Sequence, residues 1–298
     1  MTHHHDHSHH SNISINKILI ISILLNLLFV IIETGIGLIE NSLSLLSDAG
    51  HNFSDIFSLI LVVIAFKLAK VKSNNKFTYG YKKSTILISL INAIILFVAV
   101  GVIITESIHK FQSKDMINGI AISWTAGAGI IVNGLTALLL MRNQKNDLNI
   151  RGAFLHMLAD TLVSIGVVIS GIIITYTGIY IIDPIVSIII AIIILLSTWN
   201  LLSSSLRLTL DGTPENLSIN EVSLSIKKVC HVKDVHHIHI WAISTTENAL
   251  TAHIVIDDLS KMNETKHLLK ELLRSLNITH STLEFEITPS TCDSPFCN

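Results

Sequence analysis

Leu43–Phe66 reads LSLLSDAGHNFSDIFSLILVVIAF, a run free of Lys and Arg that nevertheless carries Asp48, His51 and Asp55. A bilayer core takes about 20 apolar residues as a helix. The run is long enough to cross one, so its polar residues would lie in hydrocarbon. Working outward, five more stretches have that length and character: about 15–39, 84–108, 116–141, 150–176 and 179–203. The sequence therefore predicts a membrane α-helical bundle of six transmembrane helices. The composition agrees. Of 298 residues, 50% are hydrophobic and only 14% charged, with mean hydropathy +0.60, whereas soluble domains carry about 25% charged residues.

Charge sets the orientation. The connection at Glu40-Asn41 and the one near Thr177-Gly178 contain no cationic residue, and the one around His109–Asp115 holds Lys110 and Lys114. The opposite side collects Lys67, Lys70, Lys72, Lys76, Lys82, Lys83, Arg142, Lys145, Arg151 and Arg207. By the positive-inside rule, that side and both termini are cytosolic. The first hydrophobic stretch is too long, and its flank too rich in histidine, for a cleaved signal peptide. With 20 basic against 22 acidic residues, nothing suggests nucleic acid as a partner. The expected partners are the lipid bilayer and small cations.

Beyond the last span the composition turns mixed, after the breaker Asp211-Gly212-Thr213-Pro214. Glu215–Val229 and Lys261–Leu276 have helical spacing, whereas 235–243, 249–256 and 282–287 read as strands. The order α-β-β-α-β predicts a small C-terminal cytosolic α+β domain of ferredoxin-like type. The expected division is a His-rich tail at 1–14, the membrane domain at 15–206, the cytosolic domain at 207–290 and a Cys-containing tail at 291–298.

Charged groups in hydrocarbon cost roughly 2.5–3.5 kcal/mol each on insertion scales, so each needs a reason. The second span contains His51-x-x-x-Asp55 and the fifth His156-x-x-x-Asp160. Spacing of i,i+4 puts each pair on one helical face. Both Asp lie about ten or eleven residues from the cytosolic end of their span, roughly 16 Å at ~1.5 Å per residue. The two antiparallel spans can thus oppose two imidazoles and two carboxylates near the midplane, a set that suits tetrahedral Zn²⁺. Asp48 is expected to line an exit path, and Glu33, Asn26, Asn92 and Asn133 to join helices by hydrogen bonds. No span carries His-Glu-x-x-His, and four filled positions leave none for a reactive water, which argues against an intramembrane metalloenzyme.

These residues resemble the cation diffusion facilitator family. The resemblance lies in Leu46-Ser47-Asp48-Ala49-Gly50-His51 with Asp55, Phe77–Lys83, His156–Asp160, Asp183-Pro184, His236–Trp241 and Ala249–His253. It implies a homodimeric, proton-coupled exporter of Zn²⁺, Cd²⁺ or Co²⁺ in the cell membrane, with the metal held by His51, Asp55, His156 and Asp160. No organic cofactor and no enzymatic activity are implied. It also implies a regulatory cytosolic metal site on residues matching His236, His253, His267 and Glu286. Alternation along the strand would turn His237 and His239 away from His236. The 67–79 loop lacks His and Asp, so no metal is expected there, and 142–149 lacks the His-rich stretch frequent in such transporters. Histidine is concentrated instead at His3–His10, a candidate for metal capture. Cys292 and Cys297 form a C-x₄-C that could bind zinc, whereas Cys230 stands alone at a helix end.

Overall fold

The computed structural model describes residues 15–39, 43–112, 119–179 and 181–287. His3–His10, Cys292 and Cys297 lie outside the described residues, as does the side chain of Asp48. Six long helices come first: α1 (Ile15–Ile39), α2 (Leu43–Ala69), α3 (Ser84–Gln112), α4 (Gly119–Met141), α5 (Leu148–Thr177) and α6 (Ile182–Thr209). Among the described residues, five are long and apolar enough to cross a membrane; α4 contributes the shorter apolar stretch Gly127–Met141. Their outer faces keep large side chains such as Leu24, Leu28, Ile31, Val98, Leu138 and Leu196 exposed, as a lipid solvent requires and water would not tolerate.

Inside the bundle, α4 packs on α5 and α3 on α6, with α1 against α2 and α4. One core cluster gathers Leu19, Leu59, Val62, Leu140, Ile150 and Met157 around α1, α2, α4 and α5. A second joins Leu96 and Val100 of α3, Ala159 of α5, and Ala191 and Ile194 of α6. Polar clasps tie helices together: Asn52 Nδ2 donates to Glu33 Oε2 at 2.9 Å, and Asn26 Nδ2 to Thr136 Oγ1 at 3.1 Å. Glu33 and Asn26 thus join helices as expected. Asn92 does not: both its amide atoms are buried without a hydrogen-bond partner, as is Asn133 Oδ1.

The α2–α3 loop turns at Gly80, whose φ of +68 is left-handed; a Cβ there would meet the Val71 carbonyl oxygen at 2.8 Å. Only glycine fits. The turn delivers Lys82 and Lys83 to the tail domain, which comprises α7 (Ile219–Lys227), β1 (Val232–Ala242), β2 (Asn248–Ile256), α8 (Met262–Ser275) and β3 (Ile278–Ile287). Helix α7 begins four residues later than its spacing suggested, because Pro214 and Leu217 close a turn first. The sheet runs β1-β2-β3, antiparallel between the first pair and parallel between the second. Leu250, Ile254 and Ile256 of β2 pack against Val222 and Ile226 of α7 and Leu269 and Leu273 of α8. Residues 251, 253 and 255 therefore face the other way.

The β1–β2 turn plugs this domain into the bundle. Thr245 N donates to Thr85 Oγ1 (3.1 Å) at the start of α3, and Thr245 Oγ1 donates to Asp147 Oδ2 (2.6 Å). Asp147 caps α5 through Oδ1, accepting Asn149 N at 2.7 Å. Lys82–Glu247 (2.6 Å) and Lys83–Asp211 (2.5 Å) flank the joint, and Ala242 buries against Ile86 and Leu208. Burial raises the Asp147 carboxyl above its ordinary range, against the pull of the Thr245, Asn149 and Ile150 bonds.

Candidate metal centres

Helices α2 and α5 meet with their His-x-x-x-Asp faces opposed. The pairing is reciprocal across the helices: His156 Nε2 of α5 stands 2.7 Å from Asp55 Oδ1 of α2, and His51 Nε2 of α2 stands 3.7 Å from Asp160 Oδ1 of α5. His156 Nε2 is also 4.0 Å from Asp160 Oδ2. One ligand atom each from His51, Asp55 and Asp160 falls within 4.8 Å of the others. All four expected residues are thereby brought together. With bonds of about 2.0–2.1 Å, a tetrahedral ion holds its ligand atoms about 3.3 Å apart. The observed separations bracket that value.

Two further observations bear on what the cluster can hold. Asp55 Oδ2 and Asp160 Oδ2 are buried with no hydrogen-bond partner, a costly arrangement for carboxylate oxygens unless a cation completes them. Exposure is also graded. The Asp55 side chain is 1% exposed and that of His156 9%, but that of His51 is 55%. The cluster is closed around Asp55 and opens beside His51.

In the tail, His236, His253 and Glu286 form a second group with ligand atoms within 4.8 Å. His236 pairs with His253 across β1 and β2. Glu286 reaches both: Oε1 lies 2.7 Å from His253 Nδ1, and Oε2 lies 3.6 Å from His236 Nε2. Glu284, two residues before Glu286, adds Oε2 at 3.4 Å from His253 Nε2. Sequence reasoning missed Glu284, although Glu-x-Glu on a strand puts both carboxylates on one face.

Two expectations are corrected. His267 does not join this group: it stands on α8, which packs against the face of the sheet opposite His253, and its exposed ring lies 3.6 Å from Glu271. Nor do His237 and His239 turn away. The register shifts between His236 and His239, with His237 at φ +50. This bulge inserts one residue and reverses the alternation beyond it. Val235, Ile238 and Ile240 therefore all point to the core, and His239 pairs with Thr251 on the same face as His253. The His237 ring lies 4.9 Å from that of His253 and 4.6 Å from that of His239. Nothing in Val-His-His-Ile-His signals a bulge.

The chain matches the cation efflux transmembrane domain family over residues 19–209 and the cytoplasmic domain of cation efflux proteins over residues 214–286. It is 37% identical over 287 residues to a cadmium, cobalt and zinc/H(+)-K(+) antiporter of Bacillus subtilis, covering 95% of this chain and 91% of the relative. It is 34% identical to the metal cation efflux system protein CzcD of Cupriavidus metallidurans, covering 96% and 90%. The zinc transporter ZitB of Escherichia coli is 32% identical, with 91% and 86% covered.

Proposed function

This chain belongs to the cation efflux family of membrane transporters, and we propose that it exports Zn²⁺, with Cd²⁺ and Co²⁺ as further cargo, by proton antiport and alternating access. The observation that carries the reading is the reciprocal pairing of His51, Asp55, His156 and Asp160, with two buried carboxylate oxygens left without hydrogen bonds. Relatives named for cadmium, cobalt and zinc, one of them as a proton-linked antiporter, support the choice of cargo and coupling.

In this reading α1 to α6 all span the bilayer, both termini are cytosolic, and the domain boundaries are 15–206 for the bundle and 207–290 for the tail. The match to a cytoplasmic domain that carries dimerisation in its family name supports a homodimer. Cytosolic Zn²⁺ loads the cluster and displaces protons from imidazole and carboxylate, because only the deprotonated groups ligate. The exposed His51, one turn further from the cytosolic end of α2 than Asp55, lies on the release side. The bundle then rocks, and external protons displace the ion. Histidine titrates near neutrality, which suits such exchange at ordinary pH. His236, His253 and Glu286 bind the same ion as a regulatory ligand. His3–His10 and the Cys292/Cys297 pair are capture sites in the same scheme.

The test is metal uptake into proteoliposomes across a set of divalent ions, with and without a pH gradient. Uptake of Zn²⁺ that scales with the gradient is expected. Uptake indifferent to the gradient would indicate a channel, and no uptake would indicate a sensor.

A further inference from the structure

We propose that His237, His239 and Glu284 form a second divalent-cation site on the tail domain, beside the His236, His253 and Glu286 group. The inference goes beyond the transport reading and does not require it. It rests first on the bulge. An uninterrupted strand would have sent His237 and His239 toward the core; the bulge brings both rings onto the outer face with His253. Its cost is a left-handed φ of +50 at a residue with a Cβ, a conformation that glycine adopts freely. Placing Ile238 in the core accounts for the inserted residue, but not for two histidines on the outer face, which need a further reason.

The geometry of the two rings supplies one. Their Nε2 atoms are 3.2 Å apart, and the ring planes cross at 81°. Two imidazoles on one tetrahedral ion, with Zn–N of about 2.0–2.1 Å, bring their nitrogens to about 3.3 Å. The present spacing already matches. Closing on an ion would require only that the shared proton leave, as metal binding does generally. Glu284 provides the oxygen ligand. Its side chain is 70% exposed, stands opposite His253 in the β2–β3 register, and is long enough to swing from His253 Nε2 toward His237. Two imidazoles and one carboxylate suit Zn²⁺, Co²⁺, Ni²⁺ or Cu²⁺ rather than Mg²⁺ or Ca²⁺. The fourth position would be open to water.

The two tail groups are separable by residue. One uses His236 and Glu286 with the Nδ1 side of His253; the other uses His237 and His239 with Glu284. An exposed three-ligand site should fill after the more enclosed one, so the tail would respond to zinc in two steps.

The experiment is equilibrium dialysis of the purified full-length protein against graded free Zn²⁺, with Co²⁺ absorption as a check on tetrahedral geometry. His237→Gly, which suits the left-handed φ, and His239→Gln should each lose about one bound ion per chain. His236→Ala with Glu286→Ala should lose a different ion, so the losses add when the variants are combined. The His-rich N-terminus contributes equally to every variant. If His237→Gly perturbs the fold, His239→Gln carries the test alone, since its side chain is exposed. Unchanged stoichiometry in His237→Gly and His239→Gln, or losses that fail to add because all variants remove the same ion, would overturn the proposal. Loss only in the His237 and His239 variants would leave it standing and remove the His236 group instead.

Discussion

Thr245→Val tests whether the tail is locked to the helix that bears half of the His/Asp cluster. The substitution keeps the side chain's shape and removes one hydrogen bond, Thr245 Oγ1 to Asp147 Oδ2 at 2.6 Å. A hydrogen bond to a charged group contributes about 1.5–3 kcal/mol. Burial raises the Asp147 carboxyl above its ordinary range, so part of the gain offsets desolvation and the low end applies, about 1.5 kcal/mol. Asp147→Ala removes the same bond and also the cap on α5, adding about 1 kcal/mol, for a total near ~2.5 kcal/mol. For 150–250 residues, 1 kcal/mol shifts Tm by about 2–4 °C. Thr245→Val should therefore lower Tm by about 3–6 °C and Asp147→Ala by about 5–10 °C. The double variant should melt with Asp147→Ala, because the shared bond can be lost only once. The assay is thermal unfolding in detergent, followed by tryptophan fluorescence. Fully additive shifts in the double variant would refute the link between turn and helix cap.

At the midplane, His51→Ala or Asp160→Ala should reduce zinc flux to background while leaving a folded protein; near-normal flux in either would remove the His/Asp cluster as the transport site. His51→Asp should broaden uptake toward Mn²⁺ or Fe²⁺, since a hard oxygen replaces an imidazole, and an active variant with an unchanged metal profile would place selectivity elsewhere. Removing His236 and His253 together should raise the zinc concentration needed for activation yet retain measurable flux. Complete loss of flux in a folded double variant would instead make the tail obligatory. Zinc affinity at the midplane should tighten about 10-fold per pH unit for each proton displaced on loading. Dialysis of a variant that lacks residues 3–10 and has His236, His237, His239, His253, Cys292 and Cys297 replaced checks this, and a flat affinity between pH 6 and 8 would contradict proton exchange.

The membrane helices were legible because the solvent writes their pattern. Hydrocarbon requires long apolar runs, and their ends in the sequence fall close to the helix ends seen. The midplane cluster was legible for the same reason inverted: His51, Asp55, His156 and Asp160 stand out where charge is expensive. The tail lacks that contrast. Its histidines sit among ordinary polar residues, and their faces depend on strand phase. A single inserted residue at His237 reversed that phase for His239 and put Ile238 in the core. His267 was expected as a ligand only through the family resemblance, and α8 covers the other face of the sheet. The joint at Thr245, Thr85 and Asp147 was invisible too, because it depends on how the β1–β2 turn meets helix ends far away in the chain.

In the proposed antiport, charge balance gives a physical reason for exchanging an ion for protons at a site of this composition. Asp55 and Asp160 ionised bring two negative charges into the bundle, and one divalent cation cancels them. Departure of the ion alone would leave both charges in a medium where each costs several kcal/mol. The reciprocal contacts show how that cost can be met locally: His156 lies against Asp55 and His51 against Asp160, so a proton on each imidazole would restore neutrality without moving a helix. In that exchange the rings that would ligate the ion would also carry the protons that replace it. Four carboxylates would need more protons for the same neutrality, and four imidazoles would leave the loaded site at +2. Two of each lets the cluster be neutral both loaded and unloaded, and neutral states are the ones a rocking bundle can carry past lipid at least cost.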